Sequence, residues 1–145
     1  MADDCLVAMY HYVRDKERTP FPSLRALGIK DFEAQLDWIG ANHTVVPYEI
    51  FERHVMERRP FEGDAALLTF DDGLVDHYTD AWPRLAARRW SGVFFIAGSS
   101  CADRPSVLNV HKTHFLIAAL GSEAFADAVG EAVAVLPGED RVGLA

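Results

Sequence analysis

The sequence predicts an α/β fold in which parallel strands carry helices on their outer side. Short apolar runs alternate with segments of helical periodicity, and this strand and helix unit occurs four times with short links. Polar, acidic or small residues follow three of the apolar runs directly. Because the carboxyl ends of parallel strands meet at one edge of a sheet, these residues are expected to lie together there.

Each predicted strand is a short apolar segment, and the four segments are residues 5–9, 43–46, 65–70 and 92–96. The first is a continuous apolar run, which is typical of a strand that is buried on both faces. The second is brief and ends before Pro47. The fourth leads into a loop of small residues over 97–100.

Helical periodicity predicts five helices, at residues 31–39, 49–58, 75–89, 107–120 and 123–136. Asp31 is the predicted N-cap of the first, which is expected to stop at Gly40. Pro83 predicts a kink or a break in the third. Residues 14–30 are predicted to be a loop, and His77 is expected on a helix surface or bonded to the preceding turn.

Composition limits the class of protein. A chain of 145 residues with a formal charge of -8 fits one domain and lacks the basic patch that nucleic-acid binding requires. The arginines at 84, 88 and 89 are predicted to form a solvated helix face. The chain has two cysteines and no long apolar segment, so we predict a cytoplasmic protein that binds neither nucleic acid nor a membrane.

The segment from Thr69 to Gly73 is where the sequence places the chemistry. Asp71 and Asp72 stand side by side at the end of an apolar run, and Gly73 supplies a turn. Adjacent carboxylates repel each other unless a cation or a shared proton offsets the repulsion. This pair therefore predicts an active site or a cation site.

Three segments in this order resemble the polysaccharide deacetylase family, the NodB-like carbohydrate esterases. They are MYHYV at residues 9–13, LTFDDG at residues 68–73 and VFFI at residues 93–96. Residues 107–115 also resemble a stretch of one subgroup, in which a helical insertion follows the fourth strand. The resemblance covers essentially the whole chain.

The resemblance implies the N-terminal half of a distorted (β/α)₇ barrel and a hydrolase that removes N-acetyl groups from a sugar or polysaccharide. Asp71 would be the general base and Asp72 a ligand of a divalent metal. Zn²⁺ is the preferred ion, with Co²⁺, Mn²⁺, Ni²⁺ or Mg²⁺ as alternatives. Tyr10 and His11, at the end of the first strand, are further candidates for substrate binding.

The sequence also departs from the family pattern. The family's HxxxH metal motif is absent, and His111 and His114, three residues apart, are the second choice of metal ligands because they share a helix face. Later family motifs, including the Leu-x-His that carries the general acid, are absent too. We expect residues 1–145 to be a single, incomplete deacetylase domain with a helical insertion at 106–136, and this chain alone to be inactive.

Two other classes of function remain open at this point. One is an inactive remnant, a half-barrel that binds a sugar, a partner or nothing at all and that is expected to self-associate through its open edge. The other is Mg²⁺-dependent phosphoryl transfer, although a DxD spacing and a nearby lysine would be expected for it. Zinc titration by calorimetry is the direct test of the chain itself, and weak or no binding is expected.

Overall fold

The computed structural model describes residues 4–103 and 106–135, and its centre is a parallel sheet with helices packed against one face. The strands are β1 (Cys5–Tyr10), β2 (Val13–Arg14), β3 (Leu27–Gly28), β4 (Thr44–Val45), β5 (Ala65–Phe70) and β6 (Val93–Phe94). The helices are α1 (Ile29–Asn42), α2 (Tyr48–Glu57), α3 (Trp82–Ala87), α4 (Asn109–Leu120) and α5 (Ser122–Ala134). Short 3₁₀ turns lie at Lys16–Arg18 and Gly98–Cys101.

The central strand of the sheet is β5. One edge of β5 pairs in parallel with β1, from Ala65 opposite Cys5 to Phe70 opposite Tyr10. Its other edge pairs with β4 near its start and with β6 near its end, also in parallel. The predicted set of four parallel strands with helices outside is therefore confirmed, and their carboxyl ends lie at one edge.

The main core lies between the sheet and helices α1 and α3. Alternate residues of β1 and β5 face it, because successive side chains of a strand point to opposite sides. The side chain of Phe70 lies at the centre of this core and is fully buried. The buried members of this core are Tyr10, Val13, Phe32, Leu36, Ile39, Ala66, Leu68, Phe70, Ala81 and Leu85.

The opposite face of β1 is open, which contradicts the prediction that this strand is buried on both faces. Val7 is 50% exposed and Met9 is 61% exposed. Both residues point away from the side on which α1 packs, and no helix among the described residues covers them. An apolar run alone cannot reveal this, because it gives no information on whether a second layer is present.

Helix α1 is longer than predicted at both ends. It begins after Gly28 and runs through Gly40 to Asn42, so Asp31 lies in its first turn instead of capping it. Gly40 is required by packing, because a Cβ atom there would lie 2.8 Å from the ring of Trp90. The glycine that predicted a helix end is therefore a site of close approach.

The helix that follows the TFDDG segment contains a π-helical turn at His77–Ala81 before it continues as α3. The N–H group of Trp82 donates to the carbonyl oxygen of His77, five residues back. This wider turn stands just before Pro83, which cannot donate a backbone hydrogen bond and would clash with a regular helix. Pro83 therefore marks a π-turn, and the helical path is not broken.

The remaining elements are close to those predicted. Helices α2, α4 and α5 lie within one or two residues of the predicted ranges, and residue 136 is outside the described residues. The predicted loop at 14–30 is wrong in part, because Arg14 of β2 pairs with Gly28 of β3 and α1 already begins at Ile29. No helix in the described part of the chain combines the length and apolar character needed to cross a membrane.

The predicted solvated arginine face is partly an interface between helices. Arg84 donates to Glu33 at 3.0 Å, and Arg88 donates to Asp37 at 2.5 Å. Both acids belong to α1, and both arginines lie on or just after α3. These ion pairs are largely exposed on the acid side, so each contributes about 0–1 kcal/mol at most to stability.

Candidate active site

The two carboxylates of the TFDDG segment lie where β5 ends, between the ends of β1 and β6. The N–H group of Asp71 donates to the carbonyl oxygen of Tyr10 at 2.9 Å, which continues the β1–β5 pairing by one residue. The next residue, Asp72, has a φ of 79°, in the left-handed region. Aspartate tolerates this conformation better than most residues, and such strain occurs often at functional sites.

Gly73 also has a positive φ, of 65°, and it fits a position that no larger residue could fill. A Cβ atom there would lie 2.9 Å from Cγ2 of Ile96 and 3.3 Å from its Cα. Glycine therefore lets the chain turn sharply beside the end of β6. This turn directs the side chains of Asp71 and Asp72 out of the sheet edge.

His111, on α4, reaches the carboxylate of Asp72 across 39 residues of sequence. Its Nε2 lies 3.0 Å from Oδ2 of Asp72, and the imidazole is only 8% exposed. The ring donates and the carboxylate accepts, so this hydrogen bond gives the buried histidine a partner. The structure thus brings together the predicted ligand Asp72 and one of the two second-choice histidines.

His11 stands beside the same carboxylates at the end of β1. Its Nε2 lies 4.0 Å from Oδ2 of Asp71 and 3.9 Å from Oδ2 of Asp72. His77 fixes the backbone here, because its Nε2 donates to the carbonyl oxygen of His11 at 2.7 Å. His77 is buried, so its predicted place on a helix surface is wrong. The predicted position of His11 in the site is consistent with these distances.

Tyr12 connects α4 to the end of β1. Its hydroxyl oxygen lies 3.3 Å from Nδ1 of His114, and its ring contacts those of His111 and Phe115. Burial raises the pKa of the Tyr12 hydroxyl, and the positive charge of Arg14 partly offsets that effect. The hydroxyl therefore stays protonated at neutral pH and can form a hydrogen bond to His114.

A largely buried ion pair lies behind Tyr12, and no local pattern in the chain predicted it. Arg14 donates to both carboxylate oxygens of Asp76, at 2.7 and 2.8 Å. The guanidinium also lies over the ring of Tyr12, with 5.1 Å between its carbon and the ring centroid. This pair ties β2 to the helix that follows the two catalytic candidates.

Two clefts meet at the carboxylates. The larger, of about 930 Å³, contains Asp72 and His11 and is closed on one side by α4. The smaller, of about 410 Å³, contains both Asp71 and Asp72 beside an apolar wall of Phe95, Ile96 and Ala97. Asp72 belongs to both clefts, so a ligand in either one could reach it. The larger cleft is lined by His11, Tyr12, Ser23, Leu24, Arg25, Asp72, Val110, His111, His114, Ile117, Ala118, Gly121 and Ser122.

Tyr10 is the one predicted site residue that the structure keeps apart from these clefts. Its ring packs into the main core, at 5.0 Å from the ring of Phe32 and 5.3 Å from that of Phe70. In β1 it points to the helix side of the sheet. The side chain therefore lines neither of the two clefts beside the carboxylates.

The residues around Asp72 are of types that bind metal ions, but too few of them converge on one point to hold an ion. Carboxylate oxygens and imidazole nitrogens are ligands that Zn²⁺ accepts, and a catalytic zinc usually has three protein ligands. Among residues 4–103 and 106–135, no group of three or more His, Cys, Asp or Glu side chains is arranged to hold a metal ion. The described residues therefore do not form a complete metal site.

Comparison with known proteins supports the predicted family. The chain is 31% identical over 100 residues to the "Putative polysaccharide deacetylase YxkH" of Bacillus subtilis strain 168, which covers 68% of this chain. No family model matches the sequence. The matched region is 33% of YxkH, so the chain spans about a third of the length of this relative.

Solved deacetylase structures have the same fold. IcaB from Ammonifex degensii matches with a TM-score of 0.55 and 25% identity, over 80% of this chain and 49% of that one. A de-N-acetylase from Aggregatibacter actinomycetemcomitans matches with a TM-score of 0.54 and 24% identity, over 66% and 38% of the two chains. Streptococcus pyogenes deacetylase PplD, in complex with acetate, matches with a TM-score of 0.56 and 18% identity, over 77% and 51%.

The comparisons confirm the predicted resemblance to the polysaccharide deacetylase family, the NodB-like carbohydrate esterases. The fold is the N-terminal half of the distorted (β/α)₇ barrel that this family adopts. The chain is thus similar in sequence to a putative polysaccharide deacetylase and in fold to a de-N-acetylase.

Proposed function

We propose that this chain carries one side of a carbohydrate de-N-acetylase active site, with Asp71 as the general base and Asp72 as a metal ligand. The observation that supports the proposal best is the position of Asp71 and Asp72. They lie at the end of β5 beside His11 and His111, and two clefts open onto them. Functional groups of parallel sheets collect at this edge.

The reaction is hydrolysis of the amide that joins an acetyl group to a sugar nitrogen. Water adds to the acetyl carbonyl carbon, the C–N bond breaks, and acetate and the free amine leave. Asp71 suits the role of base because its carboxylate, 30% exposed, is open to a cleft and can accept the proton of the attacking water. The complete site is proposed to use a divalent cation, with Zn²⁺ preferred.

The larger cleft suits a sugar. Its volume of about 930 Å³ is in the range of small-molecule sites, and it combines an aromatic ring with polar groups from several elements. Tyr12 and Leu24 supply apolar surface, and His11, Ser23 and His114 supply hydrogen-bonding groups. An N-acetylated monosaccharide or short oligosaccharide is the proposed ligand, and the acetamide would lie near Asp72.

Binding tests the proposal independently of turnover. The chain is expected to bind tri-N-acetylchitotriose in this cleft and to bind the matched amine, chitosan trimer, at least about fivefold more weakly. NMR titration or calorimetry measures both affinities, and Ser23→Trp, a change at an exposed residue that lines the cleft, should remove the binding of the acetylated trimer by filling the cleft. Equal affinity for the two trimers, or none for the acetylated one, would overturn the proposal. We expect no amine release from this chain alone.

Zinc affinity tests the role of Asp72. We expect weak or no binding by calorimetry, with a Kd above about 1 µM, because the described residues offer too few ligands. Any binding should be lost in Asp72→Ala and kept in Asp71→Asn. Asp72→Asn is the matched control for backbone strain, since asparagine also tolerates the left-handed conformation. Measurable zinc binding of equal affinity in wild type and Asp72→Ala would contradict the assignment.

The geometry of the site does not favour either alternative function, phosphoryl transfer or an inactive remnant. No lysine is among the described residues that line either cleft beside the carboxylates, whereas phosphoryl transfer would call for one. Self-association through the open edge stays a prediction. It is motivated by β1, which among the described elements pairs only with β5, and by the exposed side chains of Val7 and Met9.

A further inference from the structure

We propose that the larger cleft selects N-acetylated sugars that bear an anionic group, a carboxylate or a phosphate, and that Arg25 recognises this group. The inference rests on the proposed de-N-acetylase site, because it names the class of sugar which that site would take. The charges in the cleft support it. Arg25 is the one arginine or lysine among the described residues that line it.

The guanidinium of Arg25 is free to bind a ligand. Within the described part of the chain, Arg14, Arg84 and Arg88 each pair with a carboxylate. Arg18 and Arg59 also pair with carboxylates, whereas Arg25 makes no ion pair and no side-chain hydrogen bond among the described residues. An unpaired arginine at the edge of a cleft can bind a carboxylate or a phosphate through two parallel hydrogen bonds.

The backbone on either side of Arg25 is held in place. Leu24 and Ala26 are both buried, in the cluster that also contains Tyr12. The N–H of Leu24 donates to the carbonyl oxygen of Phe21 at 3.1 Å, and that of Ala26 donates to Leu24 at 2.8 Å. The segment is therefore anchored, and the backbone of Arg25 is fixed at the edge of the cleft.

The other charges in the cleft leave room for an anion. Asp72 is the one carboxylate among the described lining residues, and it already accepts a hydrogen bond from His111. The remaining titratable groups with basic character are the imidazoles of His11 and His114. In a chain of formal charge -8, this cleft, with one arginine and one carboxylate among its described lining residues, is a locally favourable place for negative charge.

Three ligands that differ only at carbon 6 of the sugar test the inference. They are N-acetylglucosamine, its 6-phosphate and its 6-carboxylate, N-acetylglucosaminuronic acid. By NMR titration at about 50 mM salt, at least one of the anionic forms is expected to bind about tenfold more tightly than the neutral sugar. Arg25→Gln should abolish that preference. Arg18→Gln, which changes an exposed arginine outside this cleft, is the matched control and should preserve it.

Each outcome separates this inference from the proposed function. A preference for only the phosphate or only the carboxylate supports the inference and identifies the group. Equal affinity for all three sugars overturns the inference but leaves the proposed function in place. A preference that persists in Arg25→Gln also overturns it, because the charge would then be recognised elsewhere. Failure of all three sugars, together with tri-N-acetylchitotriose, to bind overturns both.

Discussion

Replacement of Asp76 by alanine is expected to lower the free energy of unfolding by about 3–5 kcal/mol, because it leaves the guanidinium of Arg14 buried without its carboxylate. The side chains of Arg14 and Asp76 are only 16% and 4% exposed, and two parallel hydrogen bonds join them. Solvent reaches the guanidinium of Arg14 only in part, so hydration can offset only part of the loss. Urea unfolding followed by circular dichroism, at two protein concentrations, measures the change.

A second aspartate of the same chain supplies the control. Asp37→Ala breaks the ion pair with Arg88, but the Asp37 side chain is 70% exposed, so the expected cost is below about 1 kcal/mol. The double variant Arg14→Met with Asp76→Leu removes both charges and should regain most of the lost stability. A cost for Asp76→Ala no larger than that for Asp37→Ala would show that the buried pair is not important for the fold.

The ion pair also has a consequence for the site. Arg14 lies over the ring of Tyr12, and Tyr12 contacts His111 and His114 of α4. Loss of the carboxylate would free Arg14 to leave the ring and would weaken the support of α4 beside Asp72. We therefore expect Asp76→Ala to weaken binding of the N-acetylated sugar even under conditions in which the protein remains folded.

Phe70→Ala is expected to have an effect of similar size, about 3–5 kcal/mol, because it removes a fully buried ring from the centre of the core. The ring packs against others from both neighbouring strands, α1 and the π-helical turn. The centroid distances are 4.7 Å to Phe94, 5.3 Å to Tyr10, 5.4 Å to His77 and 6.2 Å to Phe32. Few residues around such a cavity can move to fill it, since most belong to the sheet or to packed helices.

Phe95→Ala is the matched control, since it makes the same chemical change at a ring that is more than half exposed. Its expected cost is below about 1 kcal/mol. Thermal or urea unfolding compares the two variants directly. A Phe70→Ala variant as stable as Phe95→Ala would mean that the core collapses around the gap, and the central role of Phe70 would be wrong.

The sequence predicted most of the fold because the signals it used are local. An apolar run or a helical period can be recognised within ten to fifteen residues. These patterns correctly predicted the four strands of the main sheet and all the longer helices. The errors occurred where a local signal has two physical causes. Gly40 was interpreted as a helix end, but it lies within α1, where the ring of Trp90 packs against it and leaves no space for a Cβ atom. Pro83 predicted a kink or a break, and a π-turn accommodates it instead.

The candidate site divides in the same way. The convergence of Asp71, Asp72 and His11 was predictable, because parallel strands bring their carboxyl ends to one edge. The hydrogen bond from His111 to Asp72 joins residues that are 39 positions apart in the sequence. No spacing rule relates a residue on α4 to the end of β5. The hydrogen bond of His77 to the His11 carbonyl spans 66 residues, and nothing local predicts it either.

The sequence by itself therefore determined the class of fold, the family resemblance and the pair of carboxylates, since each depends on residue types in a short stretch of chain. The tertiary structure decided which side chains surround that pair. In the folded chain Tyr10 packs into the core and His111 bonds to Asp72. Arg14 pairs with Asp76. The physical reason is that burial and charge pairing depend on how distant elements pack, and residue spacing along the chain does not contain that information.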